Sequence, residues 1–222
     1  MRFARVVPSI LIGVLAVAEP ARAQSAQAGP DTSRYYAEIN VGATFGHKSS
    51  GSIGAEGGYK LSGPYTIYFE GGRMMNVGTS HLDDRARAIA DAVGASFSAS
   101  YKVSYFDGGL RYAVPRTFRM LRMLDPYLTI GAGLAHVRAD TEFAVNGTTV
   151  PPGSLGILLG DDLGGSVNKA ILTVGGGVTY DLARRYFVDG TYRYGHIFSS
   201  NALVEDKGIN TSRLQIGFGV RF

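Results

Sequence analysis

The chain of 222 residues has no cysteine, which removes any disulfide framework and any thiolate metal site. Beyond residue 23 it has no apolar run approaching the roughly 20 residues of a membrane-spanning helix. If that part lives in a membrane it must cross as strands closed into a barrel, because lipid offers no partner for unpaired backbone groups. An excess of one charge is also missing. Taking away residues 1–23 removes three arginines and Glu19 and leaves 19 basic and 17 acidic residues, a charge of +2. That balance argues against nucleic acid as a partner. No repeat, linker or second domain is evident. Asp161 and Asp162 are too few oxygens for calcium, and Gly175 to Gly177 lie inside a strand rather than in a phosphate loop. No metal or cofactor is expected.

The first residues read as a secretory signal. Arg2 and Arg5 open it, Val6 to Ala18 is apolar, and Ala21-Arg22-Ala23 is a small-x-small cleavage site. The expected organisation is a cleaved leader over 1–23, a periplasmic lead over 24–34, and one domain over 35–222.

That domain holds most of the 31 glycines, 13 tyrosines and 11 phenylalanines, a composition suited to strands that are half lipid-facing and half polar. Its last ten residues alternate without a break. Leu214, Ile216, Phe218, Val220 and Phe222 share one face of a strand, and Arg213, Gln215 and Arg221 share the other. Seven more segments follow the same rule: Tyr35–Phe45, Ser52–Leu61, Tyr65–Gly72, about Ser98 to Val114, Tyr127–Val137, Lys169–Asp181 and Tyr186 to about Phe198. In the fourth, Phe106, Gly108 and Leu110 face outward, yet Tyr101, Val103 and Tyr105 carry apolar side chains in the opposite phase. Either a bulge reverses the faces near Tyr105 or the upper strand stands clear of lipid. The connections 62–64, 182–185 and 115–126 are the shorter ones and are expected in the periplasm. Those at 46–51, 76–97, 138–168 and 199–209 face outward.

The expected fold is therefore all-β, an eight-stranded antiparallel up-and-down transmembrane β-barrel with short periplasmic turns and longer extracellular loops. Residues 35–222 resemble the small eight-stranded outer-membrane barrels typified by the membrane domain of outer-membrane protein A and by OmpX. Phe106 to Tyr112, Pro126 to Gly133, Val188 to Gly195 and Gly217 to Phe222 carry the resemblance. It implies the outer membrane of a Gram-negative-type bacterium, reached by secretion to the periplasm. It implies outer-membrane lipid and lipopolysaccharide as surroundings, and handling by periplasmic chaperones and the barrel-assembly machinery, with Phe218, Val220 and Phe222 as the assembly signal. Outer-membrane protein A continues into a peptidoglycan-binding domain, whereas this sequence stops with its barrel, so cell-wall tethering is not expected.

The inward positions include Glu38, Glu56, Lys60, Glu70, Asp107, Arg111, Asp189, Arg193, Arg213 and Arg221. An eight-stranded barrel is about filled by its own side chains, and an unpaired charge in a closed interior costs several kcal/mol. The expectation is a structural network of paired charges. The alternative is a narrow gated ion pore in which Arg193 exchanges partners among Glu70, Asp107 and Asp189.

His196-Ile-Phe-Ser-Ser-Asn-Ala202 is the one segment that suggests catalysis. It is similar to the His-x-Ser-Asn-Ala element of the outer-membrane lipid A deacylase, which implies an ester hydrolase using His196 with Ser199 or Ser200 and Glu205 as the orienting carboxylate. The spacing departs by two residues, so the side chains need not share a face, and the expectation is no catalysis. Ser80 to Val93 follows a helical period, with Ser80 as cap, Asp83 three residues on, and an apolar stripe of Leu82, Ala86, Ile89, Ala90 and Val93. It is expected to pack on the barrel rim. The third outer loop, from Val150 to Leu159, is apolar enough to mark a contact surface or to fold over the mouth. A structural or surface-interaction role through the outer loops is the function these features favour, toward a ligand the sequence does not name.

Overall fold

The computed structural model describes residues 33–46, 48–115, 124–145, 147–156, 164–198 and 208–222. The leader, most of the lead, and Ser199, Ser200 and Glu205 lie outside the described residues. The elements run β1 (Tyr35–Phe45), β2 (Ser50–Lys60), β3 (Tyr65–Met74), α1 (Ser80–Ala92), β4 (Ser96–Ala113), β5 (Leu124–Val145), β6 (Thr148–Val150), β7 (Ser166–Asp181), β8 (Tyr186–Ile197) and β9 (Ile209–Arg221).

Each long strand pairs antiparallel with its chain neighbour. β1 pairs with β9 as well as β2, which closes eight strands into a barrel. β6 is a short addition to the outer end of β5. Tight turns hold the periplasmic end: the turn between β2 and β3 has Gly63 at φ +67°, a left-handed value that glycine adopts without steric penalty. Tyr35 and Phe222 exchange reciprocal backbone hydrogen bonds of 3.0 and 2.9 Å, and their rings stack at 6.1 Å. The closing seam thus extends past β9 to Phe222.

Burial is inverted relative to a water-soluble domain. Ile39 is 68 % exposed and Ile130 and Ile216 65 %, while Arg193 is 1 % and Arg213 0 % exposed. Apolar side chains outside and charges inside are the arrangement lipid selects.

Three strands run further outward than the alternation of a lipid-facing strand marks. β4 pairs with β5 without interruption from Ser96↔Ala144 to Ala113↔Tyr127, so no bulge reverses the faces near Tyr105. The upper strand stands clear of lipid instead: Ser98, Ser100, Lys102 and Ser104 face outward, and Ala99, Tyr101, Val103 and Tyr105 are buried inside. β5 likewise continues to Val145 and β7 begins at Ser166, so part of the loop expected over 138–168 is strand.

The upper interior is apolar. Met74, Tyr101, Val103, Val137, Ile171, Ile197 and Ile209 form one buried cluster with Val77 and with Leu82 and Ala86 of α1. The stripe packs α1 against the inner faces of the outer strand ends, with Leu82, Ala86 and Ala90 buried. The helix is capped by Thr79, not Ser80: the Thr79 hydroxyl accepts from the Leu82 N–H at 3.4 Å, and Ser80 is already the first helical residue.

Candidate functional site in the barrel

Register gathers most of the interior charges into two opposed walls. Glu38↔Glu56, Glu56↔Glu70 and Glu70↔Asp107 are successive partners across β1, β2, β3 and β4, so four carboxylates form one continuous row. On the other side Arg193 of β8 lies opposite Arg213 of β9. Like charges directly opposite on neighbouring strands are destabilising. Among the described residues the acidic wall has one cation of its own, Arg111 of β4, and its other ion pairs come from across the lumen.

Arg193 makes that crossing. Its guanidinium donates to Glu56 at 2.6 Å and to Glu70 by a shorter bond. Arg111 holds the other oxygen of Glu56 at 2.7 Å, and Arg213 lies 3.4 Å from Glu70. Tyrosines complete the shell. The Tyr105 hydroxyl donates to Glu70 at 2.8 Å, and the Tyr36 hydroxyl donates to Glu56. The rings of Tyr127, Tyr105 and Tyr68 lie 3.8, 4.2 and 4.9 Å from the guanidinium carbons of Arg111, Arg213 and Arg193, where a ring face attracts a cation. Gln215 and Asn40 join at 2.8 Å.

Asp107 and Asp189 are held differently. Asp107 accepts from Thr173 at 2.7 Å. Asp189 accepts from the hydroxyls of Thr179, at 2.7 Å, Tyr127 and Thr191. Glu38 is 6 % exposed and its Oε2 has no partner among the described residues.

Two of the expected members stand apart. Lys60 has the inward phase but is the last residue of β2, and it is exposed at the rim. Arg221 is also at a strand end, where it donates to Asp181 at 2.5 Å with its guanidinium over Phe187. Alternation gives the face of a residue and says nothing of its height. With both at the rim, the described interior holds five carboxylates and three arginines instead of balanced signs. The tyrosine, threonine and glutamine partners had a signal in the sequence, since Tyr36, Tyr68, Tyr105, Tyr127 and Gln215 share the phase of the charged residues.

His196 has the outward phase of β8. Its Nδ1 lies 2.6 Å from Asn210 Oδ1, which also accepts from the Tyr194 hydroxyl at 2.9 Å, and its ring meets Phe198 edge-on at 4.8 Å. Asn210 occupies the ring nitrogen that an orienting carboxylate would take in a triad. Among the described residues no group of three or more metal-ligating side chains is assembled.

On the outer face, β4 and β5 change character at one level. Phe106↔Leu134 is the last apolar pair; Ser104↔His136, Lys102↔Arg138, Ser100↔Asp140 and Ser98↔Glu142 follow. Asp140 lies 3.3 Å from Lys102 and 3.2 Å from Arg138. Slight desolvation acts upward on its carboxyl, and the hydrogen bonds from Arg138 and Lys102 outweigh it, holding the group below the ordinary carboxylate range. A cleft of about 760 Å³ opens here between the outer ends of β4, β5 and β7.

A closed barrel with an apolar outer band and a charged interior is an integral membrane protein of the outer-membrane type. The sequence matches the model of the outer membrane protein beta-barrel domain over residues 9–222, and the chain belongs to that family. The solved structures that share the fold include these three. Neisserial surface protein A is 18 % identical with a TM-score of 0.53, covering 85 % of this chain and 97 % of that one. A major outer membrane protein from Thermus thermophilus is 14 % identical with a TM-score of 0.52, over 85 % and 99 %. OprG from Pseudomonas aeruginosa is 11 % identical with a TM-score of 0.50, over 86 % and 96 %. No curated protein matches the sequence. The protein is thus an outer-membrane β-barrel, set among outer-membrane lipid and lipopolysaccharide.

Proposed function

We propose that this barrel acts from its outer surface, as a structural or surface-interaction protein, and neither catalyses a reaction nor conducts ions. The observation that carries the reading is the buried interior: among the described residues Arg111, Arg193 and Arg213 pair with Glu56 and Glu70, Arg193 and Arg213 from across the lumen, and the apolar cluster that includes α1 lies above them. Among the described residues, the extended β4–β5 sheet presents a polar outer face that is accessible from outside. Delivery follows the usual route for such a chain: leader cleavage before Gln24, periplasmic chaperones, then the barrel-assembly machinery reading Phe218, Val220 and Phe222.

The hydrolase alternative is testable without a known ligand. Expression should leave the mass of lipid A unchanged. Loss of one acyl chain, restored to full mass by His196→Ala, would replace this reading with a deacylase using Ser199 or Ser200.

A further inference from the structure

We propose that the cleft around Lys102 and Arg138 binds the phosphorylated headgroup of an outer-leaflet glycolipid of the lipid A class. The inference rests on the orientation just given, in which the outer ends of β4, β5 and β7 face the cell exterior.

Three observations lead there. The first is position. Going outward along β5 the lipid-facing residues are Leu128, Ile130, Ala132 and Leu134, and then His136 and Arg138; along β4 they are Leu110, Gly108 and Phe106, and then Ser104 and Lys102; along β7 they are Leu172 and Ala170, and then Asn168 and Ser166. The change falls at one register level, since Leu134 pairs with both Phe106 and Ala170, and His136 with both Ser104 and Asn168. Lys102 and Arg138 stand four residues past that edge, roughly 13 Å along the strand at about 3.3 Å per residue. Strand tilt shortens the height, and long basic side chains have the length to span the remainder.

The second observation is the order of charge. The rows next to the apolar edge carry His136, Lys102 and Arg138 and no acid; Asp140 and Glu142 come only in the rows beyond. A phosphate rising from the membrane meets cations first.

The third is an electrostatic conflict. Lys102 and Arg138 are direct register partners on one face, an arrangement that repels. Among the described residues the one carboxylate paired with either is Asp140, which serves both at 3.2–3.3 Å. A phosphate oxygen between the two cations supplies the second anion the pair needs, with charge-assisted geometry from the arginine fork. Ser100 and Ser166 line the same cleft with hydroxyls, and His136 is already fixed by Asn168 at 2.8 Å.

The test uses the full mature barrel, folded in detergent, with native mass spectrometry counting retained lipid. The probes are bisphosphorylated lipid A and the same lipid stripped of its phosphates. Wild type is expected to retain the phosphorylated form about tenfold better, and the Lys102→Ala/Arg138→Ala variant to lose that preference, the worth of roughly one charge-assisted contact. Lys102→Arg should keep it. Lys102→Gln/Arg138→Gln, closer in size, serves if the alanine pair fails to fold. Equal retention of both lipids by wild type, or an unchanged preference in the double variants, overturns the site. Full competition by millimolar inorganic phosphate would overturn the lipid assignment and make free phosphate the ligand. Folded yield into vesicles is measured in parallel; if it is normal, a missing preference counts against this site and leaves the membrane reading standing.

Discussion

At the scale of single residues, the interior depends most on Arg193, which ties Glu56 of one strand and Glu70 of the next to the opposite wall. Removing one member of a buried charge pair leaves the other uncompensated, at about 3–5 kcal/mol. Arg193→Ala is expected to lose that much unfolding free energy, measured by urea titration in phospholipid vesicles, and Glu70→Gln added to it should recover part of the loss. A backbone counterpart is Gly133, opposite Asp107 on β5. A Cβ there would strike the Phe106 carbonyl oxygen and the Asp107 backbone, so Gly133→Ala should cost about 1–3 kcal/mol by forcing the two strands apart. The faces of these residues were legible in the sequence because alternation alone decides them. Their partners were legible only in part, Glu70 being among those expected for Arg193 and Glu56 not. Arg193 meets Glu56 and Glu70, and not Asp107 or Asp189, because of how the strands are staggered around the barrel, and no single strand encodes that stagger. Lys60 and Arg221 show the same gap from the other side: their phase was readable, their place at the rim was not.

At the scale of elements, α1 is held by a narrow stripe in which Ala86 is fully buried. Ala86→Asp should undock the helix without opening the barrel. Trypsin would then cut at Arg85 or Arg87 at least about tenfold faster than in wild type, local unfolding being the limiting step, while heat-modifiable mobility of the barrel persists. Unchanged cleavage would show that the stripe does not hold the helix. The helix itself was legible from its 3.6-residue period, since Leu82, Ala86 and Ala90 recur on one face. Its cap was misplaced by one residue, as Thr79 and Ser80 are both competent caps and only the backbone turn chooses between them. The long outer ends of β4 and β5 were harder to read because the code inverts above the lipid. Tyr101 and Val103 are apolar and inside, Lys102 and Arg138 are charged and outside, and the period of two continues through the change.

At the scale of the whole molecule, closure relies on the seam between β1 and β9, where Tyr35 and Phe222 exchange two hydrogen bonds and stack. Deleting Phe222 should lower the outer-membrane level several-fold and affect refolding in detergent much less; equal levels with and without it would contradict the assembly role. The fold and its membrane were legible from the start, from the missing helical spans and the eight alternating segments. A filled lumen was expected of eight strands; the bridge across it needed the structure, because no strand pattern shows that Arg193 of β8 reaches both Glu56 and Glu70. The claim that everything accessible lies on the outer surface stands on that lumen being shut. It is tested most directly by recording the purified barrel in planar bilayers. Wild type is expected to give no current steps above the bare bilayer, and Arg193→Ala no more than irregular leak. Discrete, reproducible conductance steps from the wild-type protein, changed in size by Arg193→Ala, would contradict the account and restore a gated pore.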